Sequence, residues 1–86
     1  MFDARETREM IEARRIDALH GMDLATADCC RIAERMALSS ALTWLALAER
    51  TFAAPSGPSE YMLDVLSVGL WRHGQEIDWA IGRMVG

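Results

Sequence analysis

The stretch Met36-Ala37-Leu38-Ser39-Ser40-Ala41-Leu42-Thr43-Trp44-Leu45-Ala46-Leu47-Ala48 runs for 13 residues without a charge. Elsewhere in the chain charges recur every few positions, and this run is bracketed by Glu34-Arg35 and Glu49-Arg50. A helix through it is apolar or small on every side, so it asks to be enclosed by other helices or by a partner. A membrane-spanning helix needs about 20 apolar residues, so the run reads as the core segment of a soluble protein. The fold class follows: all-α, with this stretch in the middle of the bundle.

The chain of 86 residues is read as a single helical domain, residues 1–86, with helices at about 3–20, 24–53 and 59–84. Chains this short bury only ~60% of their unfolded surface, which leaves a thin stability margin and favours self-association. The basic residues are nine Arg and no Lys, against 13 acids, for a net charge of −4. That balance argues against a general electrostatic grip on nucleic acid. Phe2-Asp3-Ala4-Arg5-Glu6 has no apolar core of a signal peptide, and Cys29-Cys30 then read as reduced thiols. A cytoplasmic location, with no membrane partner, is the expectation.

On the N-terminal side, Asp3 can cap a helix whose Glu6 completes a capping-box-like pair, and Gly21 supplies a stop. Arg5–Glu9, Arg8–Glu12, Glu12–Arg15 and Arg14–Asp17 fall at helical spacing, each such pair worth roughly 0.2–0.5 kcal/mol. The apolar face is narrow: Ile11, Ala18, Leu19 and Met22, with Ile16 at its edge. His20 would sit at the helix end, where a protonated imidazole favours the dipole. A short turn at Gly21-Met22-Asp23 makes the first two helices an antiparallel hairpin. The second helix, from about Leu24 to about Phe52, would be ~40 Å long. Two seams run along it: Ala25, Cys29, Ile32, Met36, Ser39, Thr43 and Ala46, mostly small, and Leu38, Leu42, Leu45 and Phe52, bulkier.

On the C-terminal side, Pro55-Ser56-Gly57-Pro58 ends the second helix and prepares the third. From Ser59 onward Leu63, Leu70, Ile77 and Met84 recur every seven residues, with Leu66, His73 and Ala80 between them. This heptad seam supports one helix across Gly69 and Gly74. Each glycine costs ~1 kcal/mol there, so a break at Gly74 giving four helices is the alternative. The expected architecture is a small antiparallel three-helix bundle with a long central second helix, paired as a homodimer through its long helices.

Chemistry is thin. Cys29 and Cys30 point ~100° apart on a helix, which strains a disulfide and leaves one thiol facing the core and one near the surface. His73 and Glu76 share a face, but a di-iron bundle needs the Glu-x-x-His order twice with further acids. Glu60 and Asp64 sit where a helix start favours acids, and Glu76 and Asp78 face different ways. No phosphate loop, nucleophile elbow or zinc-protease motif is present. The expectation is no enzyme, no catalytic residue, no metal and no cofactor.

Residues Ile32-Ala33-Glu34-Arg35-Met36-Ala37-Leu38-Ser39-Ser40-Ala41 resemble the turn of a helix-turn-helix, matching at Ala33, Ala37, Leu38 and Ser39. The resemblance implies a DNA-binding regulator using residues of about 26–50. The recognition helix it implies, Ser40 to Leu47, has no Arg, Lys, Asn or Gln to meet bases or phosphates. Nucleic acid is therefore the second reading, and an enzyme subunit with an intersubunit site the third. The first is a small protein-binding module: an adaptor, chaperone-like factor or inhibitor docking on a larger protein as a homodimer. In size and class it resembles phage-encoded inhibitors of host systems, a likeness of form alone. Trp71, Trp79, Trp44, Tyr61 and His73 are the candidate partner or dimer contacts. Aromatics anchor interfaces, and Trp71 and Trp79, eight apart, share a face off the heptad seam.

Overall fold

Asp3 begins the fold as the sequence implies. Its Oδ1 accepts the Glu6 N–H at 2.8 Å, and its carbonyl accepts the buried Thr7 hydroxyl at 2.8 Å. In the computed structural model, which describes residues 3–28 and 30–85, three helices follow: α1 (Ala4–Thr26), α2 (Ile32–Ala53) and α3 (Glu60–Val85). They pack as a bundle in which each helix touches both others. No strand occurs among the described residues.

Helix α1 does not stop at Gly21. It continues to Thr26, and Gly21 is buried inside it. A Cβ there would come within 3.0 Å of Ile81 and 3.1 Å of Leu38, so this glycine serves close approach of three helices rather than termination. His20 is consequently mid-helix, and its expected place at a helix end is lost. Arg31 and the first residues of α2 follow a turn built on Asp28, whose carboxylate accepts the Cys30 N–H at 3.0 Å and whose carbonyl accepts that of Arg31. A short polar side chain bonding the backbone two residues on is a turn signal independent of Gly or Pro. Helix α2 therefore starts at Ile32, eight residues later than the hydrophobic pattern suggests. It packs against both other helices but, at 22 residues, is the shortest of the three rather than the longest.

The second connection is as expected. Gly57 adopts φ +66°, which a side chain rarely tolerates, and its N–H reaches the Ala54 carbonyl at 2.9 Å. Ser59 Oγ then accepts the Met62 N–H, capping α3. Helix α3 runs unbroken through Gly69 and Gly74, so the four-helix alternative is not formed. Both glycines are sites of close approach: the Trp44 indole lies over one and the Arg14 guanidinium over the other.

The core takes Ile11, Ala18 and Ala25 from α1, Leu38, Ala41, Leu45 and Ala48 from α2, and Leu66, Leu70, Ile77 and Ala80 from α3. Alanines let the backbones approach, which suits a body measuring 43 × 21 × 16 Å. The heptad seam of α3 is the inward one, with Leu63, His73 and Met84 half-buried along it. In α1 the expected face holds at Ile11, Ala18 and Met22, whereas Leu19 and Ile16 stay exposed. In α2 only the bulky seam turns inward. Ile32, Met36, Ser39, Thr43 and Ala46 face solvent, and Cys29 lies outside the described residues. The uncharged stretch is thus enclosed along one side. Ion pairs finish the bundle: Arg14 forks onto Asp78 at 2.9 and 3.3 Å, and Arg15 approaches Glu49 at 3.5 Å. No helix among the described residues is long and apolar enough to cross a membrane.

Candidate interaction face

Helix α3 carries two seams. The inner one holds the core, and the outer one leaves Tyr61, Val65, Val68, Trp71 and Trp79 in solvent. Tyr61 is 76% exposed, Trp71 67% and Trp79 47%. Burying an aromatic side chain removes about 150–250 Å² from water, so leaving three outside forgoes several kcal/mol of hydrophobic stabilisation. Tyr61, Val68, Gln75 and Gly82 follow one another at seven-residue steps, with Val65, Arg72 and Trp79 between them. That is the spacing another helix packs against.

Trp79 is held in place. The Arg83 guanidinium carbon lies 5.3 Å from the centre of its ring, a cation–π contact. Arg83 Nε in turn meets Glu34 Oε1 at 3.1 Å, and Arg31 approaches the same oxygen at 3.5 Å. Glu34 is buried, in the first turn of α2. Hydrogen bonding at the backbone there, then Arg83, lowers its carboxyl pKa below the usual carboxylate range, against the opposing pull of burial. Arg31 at the start of α2 offers no side-chain cap, and the Glu34 carboxylate supplies negative charge to the helix start instead. The Glu34–Arg83–Trp79 chain therefore joins the start of α2 to the outer face of α3. A hydrophobic pattern does not show it, because a lone Glu in a first turn reads as exposed.

Trp44 and His73 belong elsewhere. Their rings stack at 5.0 Å between centroids and 21° between planes, in the α2–α3 interface. His73 Nδ1 lies beside Glu76 Oε1. Both residues are half-buried, so of the five candidate contacts the structure gathers Tyr61, Trp71 and Trp79 on one face and places the other two within the bundle wall. Val65 and Val68 complete that face. The sequence does not mark them out, because valine is an ordinary core residue.

Among the described residues, the stretch from Ile32 to Ala41 does not form the turn of a helix-turn-helix. Helix α2 is continuous from Ile32 through Ala37 to Ala53, Leu45 is buried, and Trp44 is covered by α3. Among the described residues no group of His, Cys, Asp and Glu is placed to hold a metal ion, and Cys30 is exposed. A groove of about 330 Å³ between α1 and α2, lined by Arg8, Ile11, Glu12, Arg15, Glu49 and Phe52, has mixed charge and no convergent set of reactive groups. Comparison with protein-family models, curated proteins and solved structures gives no match to this chain.

Proposed function

We propose that this chain is a small non-enzymatic protein-binding module that acts by docking on a larger protein, as an adaptor, chaperone-like factor or inhibitor, and works as a homodimer in the cytoplasm. The observation that carries the reading is the outer face of α3, where three aromatic and two β-branched side chains lie in water at the spacing of a helix-packing seam. Exposed apolar patches of that size mark interaction surfaces. A second, smaller strip on α2, formed by Ile32, Met36 and Leu47, offers another apolar face on a different helix.

The test is affinity capture from the native host with mass spectrometry, comparing wild type with Trp71→Ser/Trp79→Ser and with Met36→Glu/Leu47→Glu. One protein retained by wild type and lost from either variant is the expected result. Salt-labile retention on DNA, unaffected by both variants, would instead support the nucleic-acid reading.

A further inference from the structure

We propose that the outer face of α3 is covered by the same face of a second copy of this chain, with the two α3 helices antiparallel and centred near Val68. The inference rests on reading this face as a protein contact, names a second copy as its occupant, and leaves the α2 strip of Ile32, Met36 and Leu47 as the surface the dimer offers to its larger partner.

Area argues first. Tyr61, Val65, Val68 and Trp71, at their observed exposures, offer on the order of 500 Å² of surface, towards the top of what a monomer ordinarily leaves as its largest apolar patch. With Arg72 and Gln75 beside them, the face approaches the ~800 Å² per partner of a standard interface. In a pair centred on Val68 it runs about 21 Å along the helix, from Tyr61 to Gln75. An occupant must match that length with a straight helix bearing apolar side chains at steps of three and four. Helix α3 is itself such a helix, and a two-fold contact asks only that the patch complement itself.

Charge then sets the direction. Asp64 and Arg72 flank Val68 four residues to either side, and neither has an ion-pair partner among the described residues. A parallel in-register pair would bring Asp64 against Asp64 and Arg72 against Arg72. The antiparallel pair centred on Val68 brings Asp64 of each copy to Arg72 of the other, twice by symmetry. The same register lays Val65 against the Trp71 indole and Tyr61 against Gln75.

The test uses the intact chain. Light scattering and sedimentation equilibrium should give twice the 9.6 kDa monomer mass for wild type. Val68→Glu should give a monomer with unchanged far-UV circular dichroism, since Val68 is exposed in the single chain. Asp64→Arg and Arg72→Asp should each weaken self-association at least about 10-fold, by setting like charges opposite. Mixed together, the two variants should pair with each other, because each supplies the charge the other lacks. A monomeric wild type, or a dimer indifferent to Val68→Glu, overturns the proposal, and so does failure of the two charge variants to pair on mixing. If wild type is monomeric yet loses its captured protein on Trp71→Ser/Trp79→Ser, the second copy is ruled out while the docking function stands.

Discussion

The Trp44 indole occupies the space where a side chain at residue 69 would be: a Cβ built on Gly69 comes within 2.1 Å of Trp44 Cζ2. Glycine in a helix interior ordinarily costs about 1 kcal/mol relative to alanine. Here it admits a tryptophan against the α3 backbone, and with it the stack on His73. Gly69→Ala should therefore destabilise the protein by about 1–3 kcal/mol, the usual range for overpacking, despite the gain in helix propensity. Gly82→Ala is the control. Nothing lies within 4 Å of a Cβ at that position, so the propensity gain should appear as a small rise in stability. Urea unfolding at one protein concentration separates the two, with the midpoint falling for the first and holding or rising for the second.

The buried Glu34 makes stability depend on acid. Its folded-state carboxyl pKa is lowered by hydrogen bonding at the start of α2 and by Arg83. A group of that kind contributes stability that is fully present above its unfolded pKa and is lost as pH falls through the lower folded one. Between about pH 5 and pH 3 wild type should lose more stability than Glu34→Gln, whose side chain does not titrate. Denaturant midpoints measured across that range check this. Parallel curves for the two proteins would show that Glu34 does not drive the acid response.

Arg83 couples that buried acid to the outer face. Removing its guanidinium uncovers one side of the Trp79 ring, so Arg83→Ala should make tryptophan fluorescence more quenchable by acrylamide. Arg83→Lys keeps the charge but loses the planar fork that both stacks and donates, so it should fall between the two. Equal quenching in all three proteins would mean that the cation–π contact does not order Trp79.

How far the fold was legible differs from helix to helix. In α3 a run from Leu63 to Met84 repeats at seven, and a helix with one clear seam has one way to face inward. Trp71 and Trp79 lie off that seam, which marks them as candidate contacts but leaves a core place equally open; the structure leaves both in solvent. In α2 two stripes of helical period compete, and period alone does not say which is buried. The decision came from neighbours: Leu38 and Leu45 meet α1 and α3, while Met36 and Thr43 meet water. The sequence pattern puts the α1–α2 boundary at Gly21 because a glycine has two uses: it can stop a helix, but here it serves close packing against Leu38 and Ile81. The true turn rests on Asp28, whose signal is weaker than glycine's. Glu34 and Gly69 matter through partners 49 and 25 residues away, Arg83 and Trp44, a pairing that local spacing does not encode.

Ala37 distinguishes a continuous α2 from a helix-turn-helix. In the latter family glycine is favoured at the turn that Ala37 resembles, so Ala37→Gly would be neutral or stabilising if that turn were formed. In this structure Ala37 lies inside α2, half-buried against the core. Glycine there loses more backbone entropy on folding and removes a packed methyl group, at a combined cost of about 1 kcal/mol or more. For a domain of this size that lowers the melting temperature by roughly 4–8 °C. Thermal unfolding followed at 222 nm reads the difference, and an unchanged or raised Tm for Ala37→Gly would contradict an unbroken α2. A fall in Tm would also remove the remaining structural ground for DNA recognition by residues 26–50, because a rigid helix through Ala37 keeps Trp44 under α3 and Leu45 in the core.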